Sequence, residues 1–155
     1  MEHTLEQKLA EMGHALPDAA APAANYVPFT ISGKLILISG QLPMRDGALA
    51  YKGILGGGVE IEDGQAAACL CALNLLAQAK NACGGDLNRL GRCLKLGGFV
   101  ACTPDFGDHP KVINGASDLI ADAMGDKGRH ARFAVGVASL PFGASVEIEA
   151  IFELA

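Results

Sequence analysis

Arg132 and the carboxylates that follow it are the residues of this chain whose types and spacing best suit chemistry on a small anion. In a strand, period-two alternation places Ala134 and Gly136 on the face that Arg132 occupies. A guanidinium above such small residues has room beside it for a carboxylate or phosphate bound through two parallel hydrogen bonds. Glu147 and Glu149 follow on the next predicted strand, so an anion site can be built there. The local patterns also fit a surface arginine over small residues and an ordinary half-solvated strand.

The two strands that carry these residues are predicted from alternation over residues 130–141 and 145–151. A Pro/Gly turn joins them, as in a β-hairpin. Phe133, Val135 and Val137, which alternate with Arg132, are expected to pack inward. The apolar face of the last strand consists of Val146, Ile148, Ala150, Phe152 and Leu154.

The elements that precede these strands define the fold class. Turn dipeptides and apolar spacing predict, in order, a hairpin of residues 27–31 and 35–39 around Ser32-Gly33, a helix capped by Asp63 and ended at Gly84-Gly85, a strand over 94–103, and a helix from Pro110 to Gly125. This order predicts an α+β domain whose antiparallel or mixed sheet carries both helices on one face. The other face mixes Ile151 with glutamates, and we expect subunits to meet there.

The first 24 residues are predicted to precede a domain that spans residues 25–155. Residues 5–12 have the spacing of a short amphipathic helix, and the Pro- and Ala-rich stretch 16–24 predicts a connector. Further along, Gly56-Gly57-Gly58 could cradle a phosphate, but a P-loop needs a Lys-Ser or Lys-Thr pair directly after its glycines. The sequence has no such pair there, so a flexible turn is expected.

Composition and charge argue against several classes of function. The chain has 155 residues, of which 50% are hydrophobic, and a formal net charge of -5. It lacks the Lys and Arg clusters that a nucleic-acid surface needs. No stretch is long and apolar enough to span a membrane and the first residues do not resemble a signal peptide, so a cytoplasmic protein is expected. The five cysteines show no metal-ligand spacing and are expected to be reduced packing residues: Cys69, Cys71, Cys83, Cys93 and Cys102.

Several short motifs occur in a fixed order between about residues 25 and 154. They are Tyr26-Val27, Ser39-Gly40-Gln41-Leu42-Pro43, Phe99-Val100 with Asp105-Phe106, Ile113-Asn114, the run Ala131-Arg132-x-Ala134-Val135-x-Val137-Ala138-x-Leu140-Pro141, and Val146-Glu147-Ile148-Glu149-Ala150. In these motifs the sequence resembles the Rid family, the reactive-intermediate enamine/imine deaminases. It looks most like a longer, less characterised branch of that family.

The resemblance implies a chorismate-mutase-like α+β fold and a homotrimer with its site between subunits. It also implies hydrolysis of 2-imino acids, such as iminobutanoate and iminopropanoate, to 2-keto acids and ammonia. Arg132 matches the family residue that binds the substrate carboxylate, and Glu147 matches the one that orients or activates the attacking water and shuttles a proton. Tyr26, Gly40 and Asn114 match positions that line the site. The implied scheme needs no metal and no organic cofactor.

One position departs from the family pattern. Ala134 stands where the well-known deaminases usually carry Cys, so the substrate-binding site is expected to lack that thiol and to be wider beside Arg132. Two other functions stay open: a module that binds a small carboxylate in the same cleft without turnover, and an RNA-cleaving translation inhibitor. The acidic net charge and the absence of paired histidines disfavour the second. His130 is expected to be a rim or structural histidine.

Overall fold

The computed structural model describes residues 2–22 and 24–155. The helices are α1 (Leu5–Glu11), α2 (Ile61–Ala82) and α3 (His109–Met124), and the strands are β1 (Phe29–Ser32), β2 (Leu35–Gln41), β3 (Met44–Arg45), β4 (Ala48–Leu49), β5 (Leu90–Ala101), β6 (Ala131–Val137) and β7 (Val146–Leu154). Among these residues, none of the helices has the length and apolar composition needed to cross a bilayer.

Five of the strands form one mixed sheet in the order β1-β2-β7-β5-β6, which confirms the predicted fold class. The pairs β1–β2, β2–β7 and β7–β5 are antiparallel, whereas β5–β6 is parallel. The hairpin predicted from the Pro/Gly turn between β6 and β7 is wrong, because β5 lies between those two strands. A parallel β5–β6 pair needs a crossover connection, and α3 provides it.

Helices α2 and α3 pack on one face of the sheet and on each other. Their apolar sides enclose the core with the inward residues of β2, β5 and β7, among them Ile36, Leu96 and Phe152. Helix α3 begins beside Pro110 and ends at Gly125, as predicted. The predicted cap at Asp63 is wrong: α2 begins at Ile61, so Asp63 lies in the first turn, where its charge complements the helix dipole.

Two adjacent glycines leave β5 without side chains at its middle. A Cβ on Gly98 would lie 2.7 Å from the Ile113 side chain of α3, so the glycine lets that helix seat closely on the sheet. A Cβ on Gly97, on the opposite face, would lie 2.6 Å from the Phe133 ring. Successive residues of a strand point to opposite faces, so the pair clears space on both sides of the sheet.

The N-terminal segment packs onto the same core. Thr4 and Gln7 form a capping box that fixes the start of α1, and Leu9 is only 1% exposed. The connector that follows is held by a 2.8 Å hydrogen bond from Gln78 Nε2 of α2 to the Ala20 carbonyl. The segment is therefore an integral cover of the helical layer.

Replacement of Leu9 by Ala should lower the free energy of unfolding by about 2–5 kcal/mol, since it leaves a cavity in the core. Denaturant unfolding of the full chain measures this effect. The matched control is Lys8→Ala, at an exposed position of the same helix, which should change stability by less than about 0.5 kcal/mol. Equal effects of the two substitutions would show that α1 does not contribute to the core.

Candidate functional site

Arg132 and Glu147 point to opposite faces of the sheet within one chain. Arg132 pairs with Leu96, which in turn pairs with Ala150, and both neighbours are buried beneath the helices. Glu147 instead pairs with Phe99. Leu96 and Phe99 are three residues apart on β5. Strand residues that are an odd number of positions apart point to opposite faces of the sheet. Arg132 therefore lies on the helix-covered face and Glu147 on the open one.

The orientation expected for β6 is wrong, because its two faces are exchanged relative to the core. Ala134, which shares the face of Arg132, packs against the hydrophobic core. Phe133 and Val135, expected to pack inward, lie on the open face, where Phe133 meets Phe99 edge to face at 5.3 Å and Val135 is 42% exposed. Alternation defines two faces of a strand but does not say which one the helices cover.

The guanidinium of Arg132 is held against α3 by two hydrogen bonds. Its Nη1 donates to Ser117 Oγ at 3.1 Å and its Nη2 to the Pro110 carbonyl at 3.2 Å. Asn114 lies on the same side of α3, four residues after Pro110 and three before Ser117. Because a guanidinium carries five N–H groups, three remain for a ligand after these two contacts. We call Arg132, Asn114 and Ala134 the arginine half-site.

A histidine supports this half-site from behind. His130 Nδ1 lies 2.6 Å from the Gly128 carbonyl, and its Nε2 lies 2.8 Å from Ser117 Oγ. This network assigns the ring proton to Nδ1, so that Nε2 accepts from the Ser117 hydroxyl and the Ser117 oxygen accepts from Arg132. His130 is thus a structural residue. Sequence reasoning missed Ser117, whose only signal is its helical spacing from Asn114.

Glu147 lies against Gly40 on the open face. A Cβ on Gly40 would overlap the Glu147 carboxylate, so only glycine leaves this side chain its place. Burial raises the pKa of Glu147 above its ordinary value, and the nearby charge of Glu149 raises it further. Such a carboxyl group gives and takes a proton closer to neutral pH than an exposed glutamate does.

The Ser-Gly-Gln motif arranges the surroundings of Gly40. Ser39 Oγ donates to the Val27 carbonyl at 3.0 Å, which ties down the residue after Tyr26, and Gln41 Nε2 donates to the Ser39 carbonyl at 3.0 Å. Tyr26 and Gly40 line one cleft of about 100 Å³. We call Glu147, Gly40 and Tyr26 the glutamate half-site.

The six predicted site residues therefore form two separate groups in one chain. The arginine half-site lies over β6 and α3 at one edge of the sheet, whereas the glutamate half-site lies on β2, β7 and the segment before β1. The face that carries Glu147 also exposes apolar side chains: Leu35, Leu37 and Val135 are each about 40% accessible. An open face that combines apolar side chains with a poorly hydrated carboxylate resembles an interaction surface more than an ordinary solvated one.

Known proteins resemble this chain over nearly its whole length. Residues 6–153 match the family model described as YjgF/chorismate mutase-like, putative endoribonuclease. Protein TCP17 of Trypanosoma cruzi is 50% identical over 147 residues, which are 94% of this chain and 91% of that protein.

Two crystal structures share the fold closely. Atu1372 from Agrobacterium tumefaciens, described as having unknown function, is 56% identical with a TM-score of 0.92, over 97% of this chain and 92% of that one. A protein from Shewanella oneidensis, described as a putative endoribonuclease, is 36% identical with a TM-score of 0.94, over 98% and 100% of the two chains. The matches confirm the family resemblance and the chorismate-mutase-like fold that it implied.

Glu147→Gln should stabilise the protein near neutral pH. The fold raises the pKa of this carboxyl above the value of 4.5 that it has when unfolded, so ionisation favours the unfolded state. The gain from the neutral amide should be full above the raised pKa and should vanish as the pH falls below about 4.5, where both states of the wild type are protonated. Thermal unfolding across this pH range measures the difference.

Glu149→Gln is the companion variant and should give a smaller gain of the same sign, because repulsion by Glu149 is the lesser cause of the shift. A lower unfolding temperature of Glu147→Gln at neutral pH would contradict the raised pKa of Glu147.

Proposed function

We propose, from the premise that this chain belongs to the YjgF/chorismate mutase-like family, that it hydrolyses reactive 2-imino and enamino acids to 2-keto acids and ammonia. The observation that carries the proposal is a pair of half-sites that complement each other. One holds an arginine fork with free N–H groups, and the other holds a glutamate whose pKa is raised.

Arg132 would bind the carboxylate of the imino acid. Ser117 and the Pro110 carbonyl fix the plane of its guanidinium, which reduces the side-chain entropy that is lost when the ligand binds. A fork held in this way offers two parallel donors, and these suit a carboxylate better than a single ammonium does. Asn114, beside it on α3, can add a hydrogen bond to the ligand.

Glu147 would supply the proton transfers. It takes a proton from a water that attacks C2 of the imine, while the electrons of the C=N bond move to nitrogen and form a carbinolamine. It gives that proton to the nitrogen, which completes the neutral carbinolamine. Glu147 then takes the proton of the C2 hydroxyl and passes it to the same nitrogen, so the keto group forms as the C–N bond breaks and ammonia leaves. One carboxyl group can do both because its raised pKa brings the two protonation states closer in energy near neutral pH.

A homotrimer would bring the two half-sites together. Arg132 and Glu147 face opposite sides of the sheet, so they can flank one substrate only if each comes from a different subunit. A head-to-tail contact does this when the β6 edge of one subunit docks on the open face of the next, and three such contacts close a ring. The same contact would cover the exposed Leu37 and Val135.

Ala134 supports a second candidate function, namely binding of a small carboxylate without turnover. An alanine has no counterpart of the thiol that the better-known deaminases carry at this position, and Ala134 packs against the core. The anchor at Arg132 is equally suited to a stable 2-keto acid. RNA cleavage has less support, because the chain carries a net charge of -5.

The decisive experiment mixes two inactive variants. Arg132→Lys keeps the charge but loses the fork, and Glu147→Gln keeps the shape but loses the base, so each alone should lower turnover on the order of a hundredfold or more. When the two are denatured together and refolded in equal amounts, about a quarter of the wild-type activity should return, because a quarter of the boundaries then combine an intact arginine with an intact glutamate. Ammonia release from enzymatically generated imino acids measures the activity.

The outcomes separate the parts of the proposal. Wild-type protein that binds 2-ketobutyrate through Arg132 but never accelerates imine decay would establish the binding module. Active wild-type protein with no recovery in the mixture would overturn the shared site. A dilute, stable monomer in native mass measurement would overturn the trimer.

Gly40→Ala should lower turnover about as much as Glu147→Gln, because the new methyl group displaces the carboxylate. Stability should change by less than about 1 kcal/mol, since the clash is with the mobile end of a side chain. Gly107→Ala is the matched control, because a Cβ there meets nothing within 4 Å. Turnover that survives in Gly40→Ala would show that Glu147 need not lie where the structure has it.

A further inference from the structure

A second pair of reactive side chains lies outside both half-sites. Cys102 Sγ is 3.4 Å from His109 Nε2. Cys102 directly follows β5 and His109 is the first residue of α3, so the short connection between these elements brings the two together. We propose that Cys102 and His109 form a nucleophilic thiol–imidazole site that adds covalently to small, uncharged α,β-unsaturated carbonyl compounds.

Both partners are held in place by their surroundings. The Cys102 backbone N–H donates to the Val137 carbonyl at 3.1 Å, which fixes the thiol beside the end of β6. The Phe106 ring meets the His109 ring edge to face, with centroids 5.3 Å apart and planes at 88°. A nucleophile within reach of a base whose orientation is fixed by a third group is the arrangement on which thiol catalysis depends.

Gly136 provides the space for the pair. A Cβ at this position would lie 2.6 Å from both Cys102 Sγ and His109 Nε2. Gly136 does not adopt a left-handed conformation. The need for a glycine at this position therefore comes from the space above it and not from its backbone angles. The thiol and the imidazole lie over β6 because this residue has no side chain.

The pair opens into a cavity of about 350 Å³. Its walls include Pro104, Phe106, Val137 and Ala138, and His109 is the one ionisable side chain beside the thiol among the lining residues. Thr103 adds a hydroxyl to this lining, and a partly apolar lining without a fixed charge favours a small uncharged ligand. Among the described residues no third His, Cys, Asp or Glu joins the pair to make a metal site.

The reaction is balanced without a co-reactant. His109 Nε2 takes the proton of the Cys102 thiol, and the sulfur attacks the β-carbon of the ligand. A C–S bond forms while the electrons of the C=C bond move to the α-carbon and the carbonyl oxygen as an enolate. The enolate then takes the proton back from His109, so the product is a saturated thioether.

The other cysteines of the chain serve as internal controls. They are Cys69, Cys71, Cys83 and Cys93. Burial raises the pKa of each of these thiols, to about 12 for Cys93, so they stay protonated. Cys69 is the closest match, because it is also partly buried and its Sγ lies 4.0 Å from His14 Nε2.

The test measures the rate at which acrylamide alkylates each cysteine of the native protein, by peptide mass spectrometry at neutral pH. Cys102 should react at least about tenfold faster than Cys69, since an unassisted thiol is only a few per cent thiolate. His109→Gln should remove that advantage. His14→Gln should leave the Cys102 rate unchanged.

Gly136→Ala tests the geometry with both reactive residues present, and it should slow Cys102 alkylation by displacing the pair. Equal rates at Cys102 and Cys69, or a Cys102 rate that His109→Gln does not change, would overturn the proposal. Faster reaction with acrylate than with acrylamide would overturn the choice of an uncharged ligand. The site does not depend on the proposed deaminase activity, and Glu147→Gln, on the opposite face of the sheet, should leave these rates unaltered.

Discussion

The sheet of this protein is covered by helices on one face only, and this asymmetry determines where each reactive side chain can lie. Burial of Ile36, Ile148 and Phe152 beneath α2 and α3 fixes which residues of each strand point inward. The pleat then sends their neighbours to the open face. Arg132 falls in the inward set and Glu147 in the outward set, so the separation of the two half-sites follows from the packing of the core.

Local patterns in the sequence are sufficient to predict most of the helices and strands. They do not predict which strands pair in the sheet. Pro110 and Gly125 mark the ends of α3 because a ring-fixed φ suits a helix start and a left-handed residue suits its end. Nothing comparable distinguishes a hairpin from a crossover between β6 and β7. The parallel pairing of β6 with β5 depends on a contact between distant parts of the chain, and a short turn does not encode it.

The candidate site residues were chosen by motif, but their surroundings depend on partners elsewhere in the sequence. Gly40 is a glycine because Glu147, more than a hundred positions later, lies against it. Ser117 matters because Arg132 and His130 both contact its hydroxyl, and a single serine in a helix gives no sign of this. The assignment of Arg132 to the helix-covered face also required the pairing of strands.

The adjacent Gly97 and Gly98 have a consequence for how this protein can diverge. Each is closed to any larger residue from a different side, one by Phe133 of the open face and the other by Ile113 of α3. A side chain at either position would displace that neighbour. Divergence of the sequence at either glycine would therefore require a matching change at Phe133 or at Ile113.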